Sequence, residues 1–153
     1  MTQTKHFQGP GFIMYLPTDW FISSSLQFQA IFLAPKAEDD SRANLTVAIR
    51  QLEEGADFKS FMEGMKQERQ ENYDQYEMLE ENDYTQEGGT GFQHTYRWYN
   101  PNQDRMIVQV QAVYLVGPVL FTLTGTVAEQ YAGDFVPTFI GMIDSFRVTV
   151  QEQ

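Results

Sequence analysis

The sequence predicts an α+β fold: a single domain, residues 1–153, with a twisted antiparallel sheet of about six or more strands and two main helices, 57–73 and 134–144. Three observations carry this reading. Short runs of alternating apolar and polar residues recur along the chain, divided by turns rich in Pro and Gly. Only two segments repeat apolar residues at spacings of three and four, the signature of an amphipathic helix. The 153 residues, 42% hydrophobic, suit one core, and no linker or low-complexity tract divides them.

The elements follow in order. "GFIMYLP" (Gly11–Pro17) reads as a first strand ended by proline, which cannot donate to a ladder. After the turn "LPTDW", Trp20–Ser24 makes a short strand and Gln27–Leu33 a clearer one. The charged hairpin loop "APKAEDDSRAN" leads into the alternating strand Asn44–Leu52. Asp57 is placed to cap the first helix, whose stripe is Phe58, Phe61, Met62, Met65 and Arg69. "YEMLEENDYTQEGG" reads as an exposed acidic strand ending at Gly88–Gly89. A meander follows, Thr90–Tyr99, Arg105–Leu115 and Val119–Thr126, turned by "NPNQD" and "VGP". The last helix has two candidate starts. "TVAE" (Thr126–Glu129) fits a capping box, but Pro137 would disrupt a helix begun there. Asp134 as cap puts Pro137 in the first turn, so the expectation is a turn at Val127–Ala132 and a helix from Phe135 to Asp144. "SFRVTV" closes the chain as an edge strand.

Two phrases nearly repeat: "QFQAIFL" (Gln27–Leu33) and "QVQAVYL" (Gln109–Leu115). The likeness stops at their edges, so similar sheet environments explain it better than duplication. Alternation puts Phe28, Ala30 and Phe32 on one side, and likewise Val110, Ala112 and Tyr114. The glutamines fall on the other. Neighbouring strands split the same way, with Phe92, His94, Tyr96 and Trp98 opposing Gln93, Thr95 and Arg97. The expectation is one apolar face covered by both helices and a second face rich in amides and hydroxyls, left open. On an antiparallel sheet such a face is either a solvated side or a partner surface.

Composition narrows the function. A formal net charge of −11 repels phosphate backbones and anionic headgroups, so nucleic acid is a poor partner. With no Cys, disulfides, thiolate metal sites and thiol catalysis are excluded. No run reaches membrane-spanning length, and "MTQTKHFQGPGF" has no apolar leader core, which places the protein in the cytoplasm unless a leader has been removed. The two histidines, His6 and His94, have no carboxylate at a zinc spacing. Asp39–Asp40 and "EENDY" lack the pattern of a calcium loop and read as solvated charge. "GGTG" precedes a strand, so it is no phosphate loop, and "SSS" (Ser23–Ser25) has no nucleophile-elbow context. No catalytic residue, metal ligand or cofactor is assigned, and the chain is not read as an enzyme.

Five features together resemble the PsbP-like and DcrB-like family: "GFIMYLPTDW"; "NLTVAIRQL" leading into "DFKSFMEGM"; "FQHTYRW"; "QVQAVYLVGPVLFTLTGT"; and "FVPTFIGMIDSF". The likeness runs from Phe7 to Val148 and is nearer to the soluble, unlipidated members. It implies an antiparallel sheet flanked by helices and non-enzymatic roles. Those include a photosystem II extrinsic protein, a nuclear Ran-binding protein, envelope lipoproteins and dimeric cytosolic chaperones that cradle apolar helices of type VI secretion effectors. The sequence-level expectation is therefore a non-catalytic protein-binding module, a chaperone or assembly factor, with homodimerisation an open possibility. Gln27, Gln29, Thr46, Arg50, Gln109 and Gln111 would line the partner surface, with Ile31, Ile107 and Val113 as apolar contacts and Trp98 as a rim anchor. The alternatives are a small-ligand or lipid carrier and, third, a photosystem II accessory protein.

Overall fold

The computed structural model describes residues 3–53, 55–84 and 89–149. In chain order the strands and helices are β1 (Thr4–Gly9), β2 (Phe12–Pro17), β3 (Phe21–Ser23), β4 (Ala30–Leu33), β5 (Asn44–Gln51), α1 (Phe58–Asn72), β6 (Asp74–Asp83), β7 (Thr90–Asn100), β8 (Arg105–Val116), β9 (Val119–Ala128), α2 (Ala132–Ser145) and β10 (Arg147–Val148). They form an α+β fold with two antiparallel sheets, one of seven strands ordered β3-β4-β5-β9-β8-β7-β6 and one of three ordered β1-β2-β10.

The meander and the first helix lie within two residues of the expected bounds. Four local expectations need correction. Thr4–Gly9, not read as a strand, pairs with β2 through the two-residue turn Pro10–Gly11. Gly11 has φ 86° there, which fits Pro and Gly at the centre of a type II turn. The strand foreseen from Gln27 begins only at Ala30, and Gln27–Gln29 form a bend before it. The Asp57 carboxylate caps no backbone N–H; it accepts a bond from the Ser60 hydroxyl at 2.8 Å. Finally, α2 starts at Ala132 after a 3-10 turn, Glu129–Tyr131, so neither Asp134 nor a box from Thr126 caps it and Pro137 lies inside the helix. The missing Pro137 N–H leaves the Gly133 carbonyl unpaired within the helix, and Gly133 is exposed to water. Of the acidic run after α1, residues 85–88 lie outside those described.

The main core fills the space between one face of the large sheet, the small sheet and α2. Phe32, Leu45, Val110, Ala112, Phe121 and Leu123 come from the large sheet, Phe12, Met14 and Leu16 from β2, and Phe139, Met142 and Ile143 from α2, all 0–3% exposed. Gly125 sets how closely α2 sits. A Cβ there would come within 2.5–2.8 Å of the Phe139 ring, so only glycine leaves that hollow.

The largest departure concerns the other face. Both helices were expected on the apolar face; α1 instead packs on the glutamine face. The cause is the register of β7. Phe92 pairs with Val113, His94 with Gln111, Tyr96 with Gln109 and Trp98 with Ile107. The aromatic side of β7 therefore joins the glutamine side of β8. A second, smaller cluster forms there, with Phe92, Val113 and Leu120 buried beneath Phe58, Phe61, Met62 and Met65 of α1.

Candidate functional site

Two rows of paired residues cross the large sheet on this second face. One runs Ile31, Thr46, Thr124, Gln111, His94; the next runs Leu33, Asn44, Thr126, Gln109, Tyr96. Each row is apolar at the β4 end, hydroxyl or amide in the middle, and aromatic at the β7 end. Helix α1 lies over the β7 end. The β4 end and the middle stay partly exposed at Ile31, Leu33, Thr46, Thr124 and Thr126. The face that sequence reasoning left wholly open is thus open over only part of its width.

At the boundary between the covered and uncovered parts sits a buried cation. Arg69, the last residue of the α1 stripe, is 4% exposed. Its Nη1 donates to His94 Nδ1 at 3.0 Å, its Nη2 donates to Gln111 Oε1, and its guanidinium stands 4.3 Å over the Tyr96 ring. Among the described residues it forms no ion pair; its acceptors are all neutral. His94 must present a bare Nδ1 to accept from Arg69. Burial, and then the Arg69 charge, hold its imidazole down at about 4, so it is neutral at ordinary pH. Burial also pushes the Tyr96 phenol well above its usual range. The cluster fastens α1 to β7 and β8 through directional bonds. His94 Nδ1 is occupied by Arg69, and among the described residues no carboxylate bonds to the ring.

The predicted partner-surface residues separate into three groups. Gln109 and Thr46 lie on the uncovered part or at its margin. The Gln109 amide accepts from Trp98 Nε1 at 2.9 Å and donates to Thr126 Oγ1 at 2.9 Å, while Trp98 stacks on Tyr73 at 4.1 Å between ring centroids. Gln111 and Arg50 are engaged by α1 instead: Gln111 holds Arg69 and donates to Thr124 Oγ1 at 3.0 Å, and Arg50 lies 5.1 Å over the Phe61 ring. Gln27 and Gln29 are exposed in the bend that precedes β4. Of the apolar contacts foreseen, Ile31 remains half-exposed while Ile107 and Val113 are buried. Arg69 itself was legible as a member of the stripe, but its partners lie 25 and 42 residues away.

Among the described residues no three His, Asp or Glu side chains converge as a metal site would require. Asp39, read as solvated charge, is exposed and also hydrogen-bonded. It accepts from the Ser41 backbone N–H and hydroxyl, from Arg105 at 2.8 Å and from Gln130 at 3.2 Å, and these bonds hold its carboxyl far below the usual range. Glu81 pairs with Lys66 at 2.9 Å. No described helix is long and apolar enough to cross a membrane.

A family model described as DcrB matches residues 15–137. A comparison with curated proteins finds no match. Several solved structures share the fold. LpqN of Mycobacterium tuberculosis, involved in cell envelope biogenesis, superposes with a TM-score of 0.71 at 13% identity, covering 98% of this chain and 91% of that one. Cyanobacterial PsbP (CyanoP) from Synechocystis gives 0.65 at 16% identity, covering 97% and 94%. The Ran-binding protein Mog1p of Saccharomyces cerevisiae gives 0.65 at 11% identity, covering 97% and 96%. At such identities the likeness is one of fold.

Proposed function

The chain belongs to the DcrB family, and on that premise we propose that it is a non-catalytic protein-binding module, a chaperone or assembly factor. Its contact surface is the part of the second sheet face that α1 leaves uncovered. One observation carries this reading. Five adjacent strands, β3, β4, β5, β9 and β8, contain no carboxylate at all, in a chain of net charge −11. A solvated sheet face in so acidic a protein has no reason to exclude acids. A surface that must shed its water onto a partner does, because buried unpaired charge is costly. Thr46, Thr124, Thr126 and Gln109 would satisfy polar groups of the bound segment while Ile31 and Leu33 give apolar contact. A chaperone of secretion effectors is the form of this reading in which the segment is an apolar helix; Mog1p, which binds Ran, shows the same fold put to protein binding.

Capture from the native host tests it. The double substitution Thr46→Glu, Thr124→Glu should cut recovery of the captured partner about tenfold or more while the far-ultraviolet circular-dichroism spectrum stays that of the folded parent. Gln111→Glu is the control: its new carboxylate meets Arg69 beneath α1, so capture should persist. Equal recovery with the double variant would count against the surface.

A second reading, a small-ligand carrier, is favoured by one feature. A cavity of about 270 Å³ is lined by Trp20, Ala43, Val127, Tyr131 and Phe135 between the large sheet and the start of α2. Native mass spectrometry of protein from its host would show a bound mass if this is the working site, and the bare chain mass if it is not.

A further inference from the structure

The two edges of the seven-stranded sheet are built differently. β6 carries five carboxylates, Asp74, Glu77, Glu80, Glu81 and Asp83, along with two register shifts and a positive φ at Gln75. Charges and bulges of this kind keep other strands from adding to an edge. β3 has none of these devices. It lies within Trp20–Pro35, sixteen residues without a charge, and Phe21 and Ile22 are 55% and 49% exposed, with Leu26 beyond them fully so. Its inner side pairs with β4; alternate backbone N–H and C=O groups face outward.

A second, independent observation lies at the Phe21 end of this strand. The Arg42 guanidinium sits 5.6 Å over the Phe21 ring. Its Nε is buried and has no hydrogen-bond acceptor, and among the described residues Arg42 makes no ion pair. Arg42 is partly exposed and its charge has no counter-ion among the described residues, so a carboxylate arriving there is favoured.

We propose that the outer edge of β3 is a strand-addition site for an extended segment of a partner protein that is uncharged apart from a carboxylate at one end. The backbone of the segment pairs with β3, its apolar side chains meet Phe21 and Ile22, and its carboxylate pairs with the Arg42 guanidinium. A second copy of this chain fits less well. Antiparallel pairing centred on Ile22 sets Ser23 opposite Phe21 and brings no carboxylate to Arg42, while two chains of charge −11 repel. Phe21 pairs with Leu33 and so adjoins the sheet face proposed above, but pairing to the outer edge of β3 does not use Thr46 or Thr124, and Thr46→Glu, Thr124→Glu would leave it intact.

The probe is a panel of C-terminally amidated, fluorescein-labelled octapeptides alternating Val and Thr, with a glutamate at the first position, the last position or neither, titrated with the full chain in fluorescence anisotropy. One glutamate-ended peptide should bind saturably. Ile22→Pro should abolish that binding. Arg42→Met should weaken it about tenfold, bringing it to the level of the peptide without glutamate. Ile22→Lys serves as a second edge variant should Ile22→Pro fail to fold. Absence of saturable binding by any peptide, or binding indifferent to both Ile22 variants, would overturn the proposal. So would a dimer in sedimentation that Ile22→Lys dissociates, because a second copy would then hold the edge.

Discussion

The two faces of the seven-stranded sheet carry helices of nearly equal length, 15 residues in α1 and 14 in α2, held by different physics. α2 drives Phe139, Met142 and Ile143 into the core and rests in the hollow at Gly125. No apolar side chain of α1 is fully buried; its one buried residue is Arg69. Non-directional packing welds one helix down; the other rests on partly buried apolar contacts and is oriented by a few directional bonds to neutral acceptors. The lesson is that amphipathic periodicity alone does not rank helices by their contribution. What lies beneath the stripe does, and a helix over a half-polar face belongs to the less stable part of the molecule.

Substitution can break this contrast, beginning with the largest effect. Phe139→Ala should cost about 4 kcal/mol of unfolding free energy in urea titration. Phe61→Ala, the matching truncation on α1, should cost no more than about half as much, since Phe61 is only partly buried. Equal losses would erase the distinction.

The next effect depends on pH. His94 titrates at about 4 in the folded protein against 6.5 for the free side chain. Between these values the unfolded chain holds a proton that the folded one does not. Stability from this group is therefore intact above pH 6.5 and is lost as pH falls toward 4, by on the order of 2 kcal/mol. In His94→Gln that part of the slope should vanish, because glutamine can still accept from Arg69 and does not titrate. Identical slopes for the two proteins would refute it.

The smallest effect is the sharpest test of the cation. Arg69→Met should leave stability within about 1 kcal/mol of the parent despite the burial of the side chain. A desolvated charge without a counter-ion gains little over a well-packed apolar residue of similar length. A loss above ~3 kcal/mol would show instead that the bonds to His94 and Gln111 dominate.

Much of the fold was legible in the sequence, for physical reasons visible in particular residues. β7, β8 and β9 alternate over ten or more residues and are divided by turns that Pro and Gly dictate, so they could be placed to within two residues. The α1 stripe was equally plain. Alternation says which residues share a side of one strand, but not which side of the next strand they join. For that reason Phe92, His94, Tyr96 and Trp98 were expected apart from Gln109 and Gln111, and the helix they carry with them was put on the wrong face. The twin phrases misled in a similar way. In "QVQAVYL" both glutamines lie inside β8, whereas in "QFQAIFL" both precede β4. β1 escaped notice because "TKHFQG" holds one strongly apolar residue, Phe7, and takes its strand form from β2. Of the residues on the uncovered part of the second face, Thr46 and Gln109 were named from pattern alone. Arg69 and Arg42 were not, because their significance lies in what does not pair with them.

The acid-free strands and the acid-rich β6 also give the molecule a gradient of charge across one sheet. If the proposed sheet face is the contact surface, a partner with a basic flank would be drawn first to the β6 margin and only then slide onto neutral ground. Arrival and dwell are thereby governed by separate regions. Added salt slows the encounter while the lifetime of the docked state, set by uncharged contacts, stays nearly constant. On that reading the protein would find its partner quickly in dilute solution without holding it any harder.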